Sequence, residues 1–164
     1  MELWDAYDED CKIIEGVTLT RGEKVPDGMY HLVSDVIVRH EDGEYLLMQR
    51  DPRKHYGGMW EATAGGSALK GETAYECAVR ELREETGISS EDLEEVGREV
   101  DAGTCTIYVE FLCVTDADKD GVTLQEGETS AFRWVTKDEL LAMNKDELVT
   151  KRMQVFIKEL QGQK

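Results

Sequence analysis

Between Thr73 and Gly87 the chain writes both ends of a helix into its own sequence. Thr73 is placed as an N-cap with Glu76 at the third helical position, and Gly87 suits the left-handed residue that closes a helix. The spacing therefore predicts a helix over residues 74–86, about three and a half turns long. Ala74, Ala78 and Leu82 recur on one stripe of it, mostly small residues that let a helix backbone lie close to a sheet. The stretch "RELREETGI" then sets Glu81, Glu84 and Glu85 at i, i+3 and i+4. At roughly 100° per residue the three carboxylates share one face, where like charges cost a few tenths of a kcal/mol per pair. Arg80 is positioned to pair with Glu84 one turn later, and Glu72 to reach the same guanidinium. On an acidic chain such a cluster is either a solvated face or a site that uses the repulsion.

The rest of the chain bounds the fold around that helix. A length of 164 residues with 40% hydrophobic content suits one domain with a real core, so residues 1–164 are read as a single unit. The segment "YHLVSDVIVRHEDGEYLLMQR" predicts strand, turn and strand, with Asp42-Gly43 as the hairpin signal. Residues 105–115 and 130–135 predict two more strands. Two helices are expected after them: Thr136 with Glu139 and Asn144 with Glu147 each form a capping-box pattern. Val149, Met153, Phe156 and Leu160 then recur at helical spacing. Strands and helices mixed in this order imply an α/β sandwich, with helices on both sides of a mixed sheet.

Composition excludes several classes of function. A net charge of -17 makes a nucleic-acid polymer an unfavourable partner, since binding one needs basic groups against phosphates. The same charge attracts divalent cations, and a small phosphorylated substrate can arrive bound to one. No apolar run approaches the length of a membrane span, and "MELWDAYDED" has neither the basic nor the apolar region of a signal peptide. The expected location is the cytoplasm, with no membrane partner, as a monomer or homodimer. Cys11, Cys77, Cys105 and Cys113 form no CxxC pair, so buried reduced thiols are expected rather than zinc or disulfides.

Reading outward from the acidic helix gives Gly66, five residues, Glu72, seven residues, then Arg80, Glu81, Leu82, Glu84, Glu85, Gly87 and Ile88. Every fixed position of the Nudix box is met across residues 66–88, "GSALKGETAYECAVRELREETGI", and the chain resembles the Nudix hydrolases. The resemblance implies the Nudix fold, an α/β/α sandwich with a mixed β-sheet, in which the box forms loop, helix and loop. It also implies Mg²⁺ or Mn²⁺ as cofactor, bridging the carboxylates to a diphosphate. Carried over by position, Glu84 and Glu85 look like the principal metal ligands, Glu81 a further ligand or the base that activates water. The carbonyl of Gly65 is similar to a backbone ligand, and Glu72 and Arg80 look like residues that fix the others. The family commonly adds a Glu from a loop before a Trp-bearing strand. "LQEGETSAFRWV" offers Glu128 for this and, less well spaced, Glu126.

The implied reaction is cleavage of a diphosphate linkage in a small substrate of the nucleoside-diphosphate-X type, by water attack on phosphorus. The run "QRDPRKHYGGMW" gathers Arg50, Arg53, Lys54 and His55, either to receive a substrate phosphate or as a solvated loop offsetting nearby acids. Trp60, with Trp4, Tyr7 and Tyr30, is a candidate to stack on substrate or to fill core. A proline some fifteen residues past the box, which marks many ADP-ribose hydrolases, is replaced here by Ala102, Gly103 and Thr104.

Residues 2–88, including an amino-terminal extension over residues 1–29, also resemble the isopentenyl-diphosphate isomerase-like branch of the family. Those enzymes protonate carbon with a Cys, and Gly65 stands at about that position, with Ser67 near that of a metal-binding His. Without the thiol the carbon acid is missing, which favours hydrolysis. A ligand-binding module without catalysis is the other alternative, disfavoured by the intact box.

Overall fold

A computed structural model describes residues 1–144, 146–149 and 158. Two strands open the chain, β1 (Leu3–Tyr7) and β2 (Ile13–Thr20), paired antiparallel as a small sheet of their own. The main sheet is built from β3 (His31–His40), β4 (Tyr45–Arg50), β5 (Trp60–Glu61), β6 (Thr63–Ser67), β7 (Leu93–Asp101), β8 (Thr106–Thr115) and β9 (Thr129–Val135). Helix α1 (Ala74–Thr86) falls between β6 and β7, and α2 (Lys137–Leu141) follows β9.

Strand order in the main sheet is β5-β4-β3-β8-β7, with β6 also on β3 and β9 also on β4. β3 and β8 run parallel over ten residues, from His31 against Thr106 to His40 against Thr115, and the other pairings are antiparallel. The expected turn between β3 and β4 forms, with Gly43 at φ +96°, where only glycine sits without strain. Beyond Arg39 and Tyr45, however, the two strands part. β6 takes the vacated edge of β3, setting Gly65 beside Asp35 and Gly66 beside Ser34.

Side-chain alternation along the central strands builds a core on each face. Val36, Val38, Leu46, Met48, Phe111 and Cys113 point to one side, where α1 lays Cys77, Ala78 and Leu82 over them. Ile37, Tyr45, Leu47, Leu112 and Val135 point to the other, beneath Leu140 of α2 and Leu148. The result is the mixed sheet between helices that the sequence implies.

Helix α1 has the predicted bounds because its caps are satisfied. The Thr73 hydroxyl oxygen accepts from the Glu76 N–H at 3.1 Å, and Gly87, at φ +78°, donates its N–H to the Arg83 carbonyl at 2.9 Å. The Ser34 hydroxyl donates to the Ala74 carbonyl at 2.7 Å, tying the first turn to β3. Of the two carboxyl-terminal helices expected, the first forms as α2. Thr136 caps only five residues of α2, and Asn144 opens a hydrogen-bonded turn to Glu147. Met153, Phe156 and Leu160 lie outside the described residues.

The amino-terminal hairpin docks on the main body through Tyr7 and Tyr30, whose backbones exchange hydrogen bonds of 2.9 Å each, and through Trp4, stacked on His31 at 4.3 Å. All four cysteines are free thiols, but only Cys77 and Cys113 are buried. Cys11 and Cys105 sit half-exposed with left-handed backbones, contrary to the expectation of four buried thiols. Burial pushes the Cys77 thiol up to about 12, so it acts as a packing group. No helix among the described residues is long and apolar enough to cross a membrane.

Candidate active site

Loop, strand and helix converge on one cavity of about 320 Å³. Its floor is β6, where Gly65 and Gly66 present no side chain. A Cβ on Gly66 would lie 2.6 Å from Glu81 Oε1, so this glycine makes room for the helix carboxylate. A Cβ on Gly65 would lie 2.2 Å from the Ser34 carbonyl oxygen and 2.9 Å from the Asp35 Cα, both backbone. Gly65→Ala is therefore expected to open the β3–β6 pairing and lower stability by about 1–3 kcal/mol, the usual range for overpacking. A thermal midpoint equal to that of the parent protein is the opposing result.

From α1, Glu81, Glu84 and Glu85 face this cavity. Arg80 organises two of them. Its Nε and Nη2 donate to both oxygens of Glu72, at 2.7 and 2.9 Å, and its Nη1 donates to Glu81 at 2.7 Å and to Glu84 at 3.2 Å. Nη2 also meets the Ser67 carbonyl at 3.2 Å. One guanidinium thus offsets three carboxylates, as its planar fork allows. Burial works to raise the Glu72 carboxyl, but the hydrogen bonds from Arg80 and from the Leu69 N–H outweigh it and hold the group below its ordinary range.

Glu85 is different. It is 9% exposed, forms no ion pair among the described residues, and accepts a hydrogen bond from the Gly65 N–H at 3.3 Å. Burial, then the charges of Glu81 and Glu61, drive its pKa well above the ordinary carboxylate range. Glu81 is raised too, chiefly by burial, although Arg80 pulls against it.

The basic loop before β5 divides. Arg50 and Lys54 reach the cavity, Arg50 donating to Glu61 at 2.5 Å and Lys54 paired with Glu128. Arg53 turns the other way and forks onto Asp51 with two bonds of 2.8 Å, its side chain 75% exposed. Trp60 is also outside the cavity: it packs on the opposite core, with the Arg133 guanidinium 4.7 Å from its ring centre. Neither Arg53 nor Trp60 is therefore brought to the carboxylates, and sequence spacing had no means to tell the loop's inward from its outward residues. Between the two candidates on the later loop, Glu128 lines the cavity, and Glu126 is not among its lining residues.

Sequence reasoning missed Glu61, Gln125, Glu2 and Arg21, which also line the cavity. Gln125 lies on the same turn as Glu128, and the other three arrive through tertiary pairing rather than through a local motif. Glu61 is positioned by β5 against β4, and Glu2 and Arg21 by the amino-terminal hairpin.

The donor set suits a hard divalent cation. It consists of carboxylate and carbonyl oxygens, including a buried acid, Glu85, for which the Gly65 N–H and the Lys54 charge do not offset burial and the charges of Glu81 and Glu61. No three described His, Cys, Asp or Glu side chains converge as a preformed cluster, because Arg80 and Lys54 hold Glu81, Glu84 and Glu128 in ion pairs.

With this geometry in place, comparison with known proteins gives the class. Residues 29–160 match the NUDIX domain, and the chain belongs to the Nudix family, as a pyrophosphohydrolase acting on acid anhydrides. It is 37% identical over 145 residues to Nudix hydrolase lmo0368 of Listeria monocytogenes, covering 87% of this chain and 85% of that one. It is 32% identical over 141 residues to Nudix hydrolase YfcD of Escherichia coli, covering 84% of this chain and 76% of that one. The crystal structure of DR0079 from Deinococcus radiodurans shares the fold, with a TM-score of 0.76 at 20% identity over 96% of this chain and 98% of that one.

Proposed function

We propose that the protein hydrolyses the diphosphate linkage of a small nucleoside-diphosphate-X substrate with Mg²⁺ or Mn²⁺ as cofactor. The observation that carries this reading is the buried Glu85, which has no ion-pair partner among the described residues, set among further carboxylates in a cavity whose other wall supplies Arg50 and Lys54. Glu81, Glu84, Glu85, Glu128 and the Gly65 carbonyl are the groups to hold the ion. When bound, such an ion withdraws charge from phosphoryl oxygens and lowers the pKa of a coordinated water.

The chain's own residues supply the rest. Arg50 and Lys54 receive phosphate oxygens, exchanging Glu61 and Glu128 for substrate charge. Arg80 and Glu72 fix the helix carboxylates, so their geometry is set before substrate arrives. Glu81 or Glu128 accepts the proton of the attacking water. The water oxygen forms a bond to phosphorus, the bridging P–O bond breaks, and its electron pair leaves with the departing phosphate.

Isomerisation of a prenyl diphosphate is disfavoured by the same floor that builds the site. A thiol at residue 65 has no room, since its Cβ would meet the Ser34 carbonyl oxygen, and carbon is left without an acid. The test is phosphorus NMR of the protein with Mg²⁺ and nucleoside diphosphate sugars, dinucleotides, nucleoside triphosphates and prenyl diphosphates. Magnesium-dependent cleavage at one P–O–P linkage is expected. Consumption of none of them, or isomerisation of a prenyl diphosphate without release of phosphate, overturns the reading.

A further inference from the structure

The family match begins at residue 29, yet two residues before it, Glu2 and Arg21, form part of the cavity wall. They belong to the open end of the β1–β2 hairpin, where the Arg21 N–H donates to the Glu2 carbonyl at 3.0 Å. Their side chains pair as well, Arg21 Nη1 donating to Glu2 Oε2 at 3.1 Å. The other carboxylate oxygen, Glu2 Oε1, accepts from the Trp4 indole N–H at 2.8 Å.

This end of the hairpin is held firmly against the body. Trp4 is buried and stacked on His31, the Lys70 N–H donates to the Leu3 carbonyl at 2.8 Å, and the Gly71 N–H donates to Asp5 at 2.8 Å. Glu2 is thereby oriented by its neighbours, while the Arg21 side chain stays 66% exposed at the mouth of the cavity. Two of the bonds that hold the hairpin go to the loop just ahead of α1, so the pair is referenced to the same frame as the helix carboxylates.

The chemistry of the pair selects what it can recognise. Arg50 and Lys54 serve the phosphates by giving up Glu61 and Glu128, and a further phosphate at Arg21 would likewise have to displace Glu2. A pair of adjacent hydroxyls needs no such displacement: each can donate to the carboxylate and accept from the guanidinium, and a carboxylate is a recurrent acceptor for ribose hydroxyls. We infer that the amino-terminal hairpin is the specificity element of this enzyme, and that Glu2 and Arg21 bind a vicinal diol on the sugar carried by the diphosphate. The inference rests on the hydrolase reading above. The diol can belong to the nucleoside's ribose or to a sugar in the X position, and the experiment separates the two.

ADP-ribose, its 2′-deoxyadenosine analogue and the methyl ester of ADP are compared as substrates with Mg²⁺. They are also compared as ligands by calorimetry, with and without the metal, for the wild type, Glu2→Gln, Arg21→Lys and Arg21→Ala. Loss of the recognised hydroxyl is expected to raise KM or Kd about 10–100-fold in the wild type, with kcat changed by less than about twofold. In Glu2→Gln and Arg21→Ala the same deletion is expected to cost about twofold or less, because the partner of that hydroxyl is already gone. A penalty on the deoxy compound assigns the nucleoside ribose, and one on the methyl ester assigns the sugar of X. Unchanged stabilisation by Mn²⁺ in a thermal scan verifies that each variant keeps its fold and carboxylates. Equal penalties in the wild type and the variants, or no discrimination by the wild type, overturn the inference. Discrimination in binding with no cleavage of any diphosphate upholds it and removes the hydrolase reading alone.

Discussion

Glu85→Gln is expected to reduce kcat about a thousandfold and, at the same time, to make the metal-free protein more stable. The loss of rate follows from removing one anionic oxygen donor from the candidate metal site, a change worth several kcal/mol where each 1.4 kcal/mol is tenfold. The gain in stability follows from burial. Glu85 has a folded-state pKa raised well above its ordinary 4.5, so the folded protein binds its proton more tightly than the unfolded chain does. The stability this group contributes is fully present below about pH 4.5 and is lost as pH rises through the folded value. Glu81, raised in the same direction, adds to the trend. Glutamine cannot ionise, so the variant is spared the progressive loss that the parent protein undergoes as pH rises above about 4.5. A gain of about 1–2 kcal/mol corresponds to about 2–8 °C in the thermal midpoint for a chain of this size. Calorimetry with EDTA between pH 5 and 8 is the measurement, with a flatter pH dependence expected for the variant. Added Mg²⁺ should reverse the order, stabilising the parent protein and not the variant. An equally active variant, or one less stable than its parent at pH 7.5 without metal, contradicts the role given to Glu85.

The second large effect is expected at Arg80. Arg80→Ala leaves Glu72, Glu81 and Glu84 facing each other without the cation that links them, and Glu72 and Glu81 have side chains only 13% exposed. Breaking a largely buried ion pair from one side costs about 3 kcal/mol or more. The thermal midpoint should therefore fall by about 6–12 °C at pH 7.5. Arg80→Lys is expected to recover only part of this, because an ammonium carries the charge but cannot fork onto Glu72 while reaching along the helix to Glu84. The deficit of the alanine variant should narrow at low pH, where the carboxylates protonate, and also on adding Mn²⁺. A midpoint within a degree of the parent protein would mean that the network is solvated and contributes little.

What could be read from the sequence divides along physical lines. Helix α1 was legible to its terminal residues because its stop and start are local chemistry, Thr73 and Gly87, and because the box fixes its acids. β3, β4 and β8 were legible as largely apolar, largely buried runs, and β9 by its short aromatic and β-branched stretch. β7 was not: it lies at the edge of the sheet, and its sequence "LEEVGREVD" alternates weakly, with charges on the solvent side and a register shift between Glu95 and Gly97. β6 was hidden for the opposite reason, since "TAGGS" has little strand propensity and is held extended by its pairing with β3, whose backbone leaves no room for a side chain at Gly65. In the site, the residues on α1 were placed by helical period alone, whereas the fates of Arg50, Arg53, Lys54 and Trp60 depend on how one loop folds back on β4. No periodicity encodes that.

The side-by-side run of β3 and β8 carries a cost in time. His31 and Cys105, which meet through backbone and ring at the start of that run, are 74 positions apart. During synthesis β3 must wait for the whole of β8 until more than two thirds of the chain has left the ribosome. Helix α1 emerges within that interval and joins the earlier-made Tyr7 in shielding one face of β3. Its strong caps thus serve the nascent chain as well as the finished enzyme, holding ready a cover for a strand whose neighbour has not yet been made.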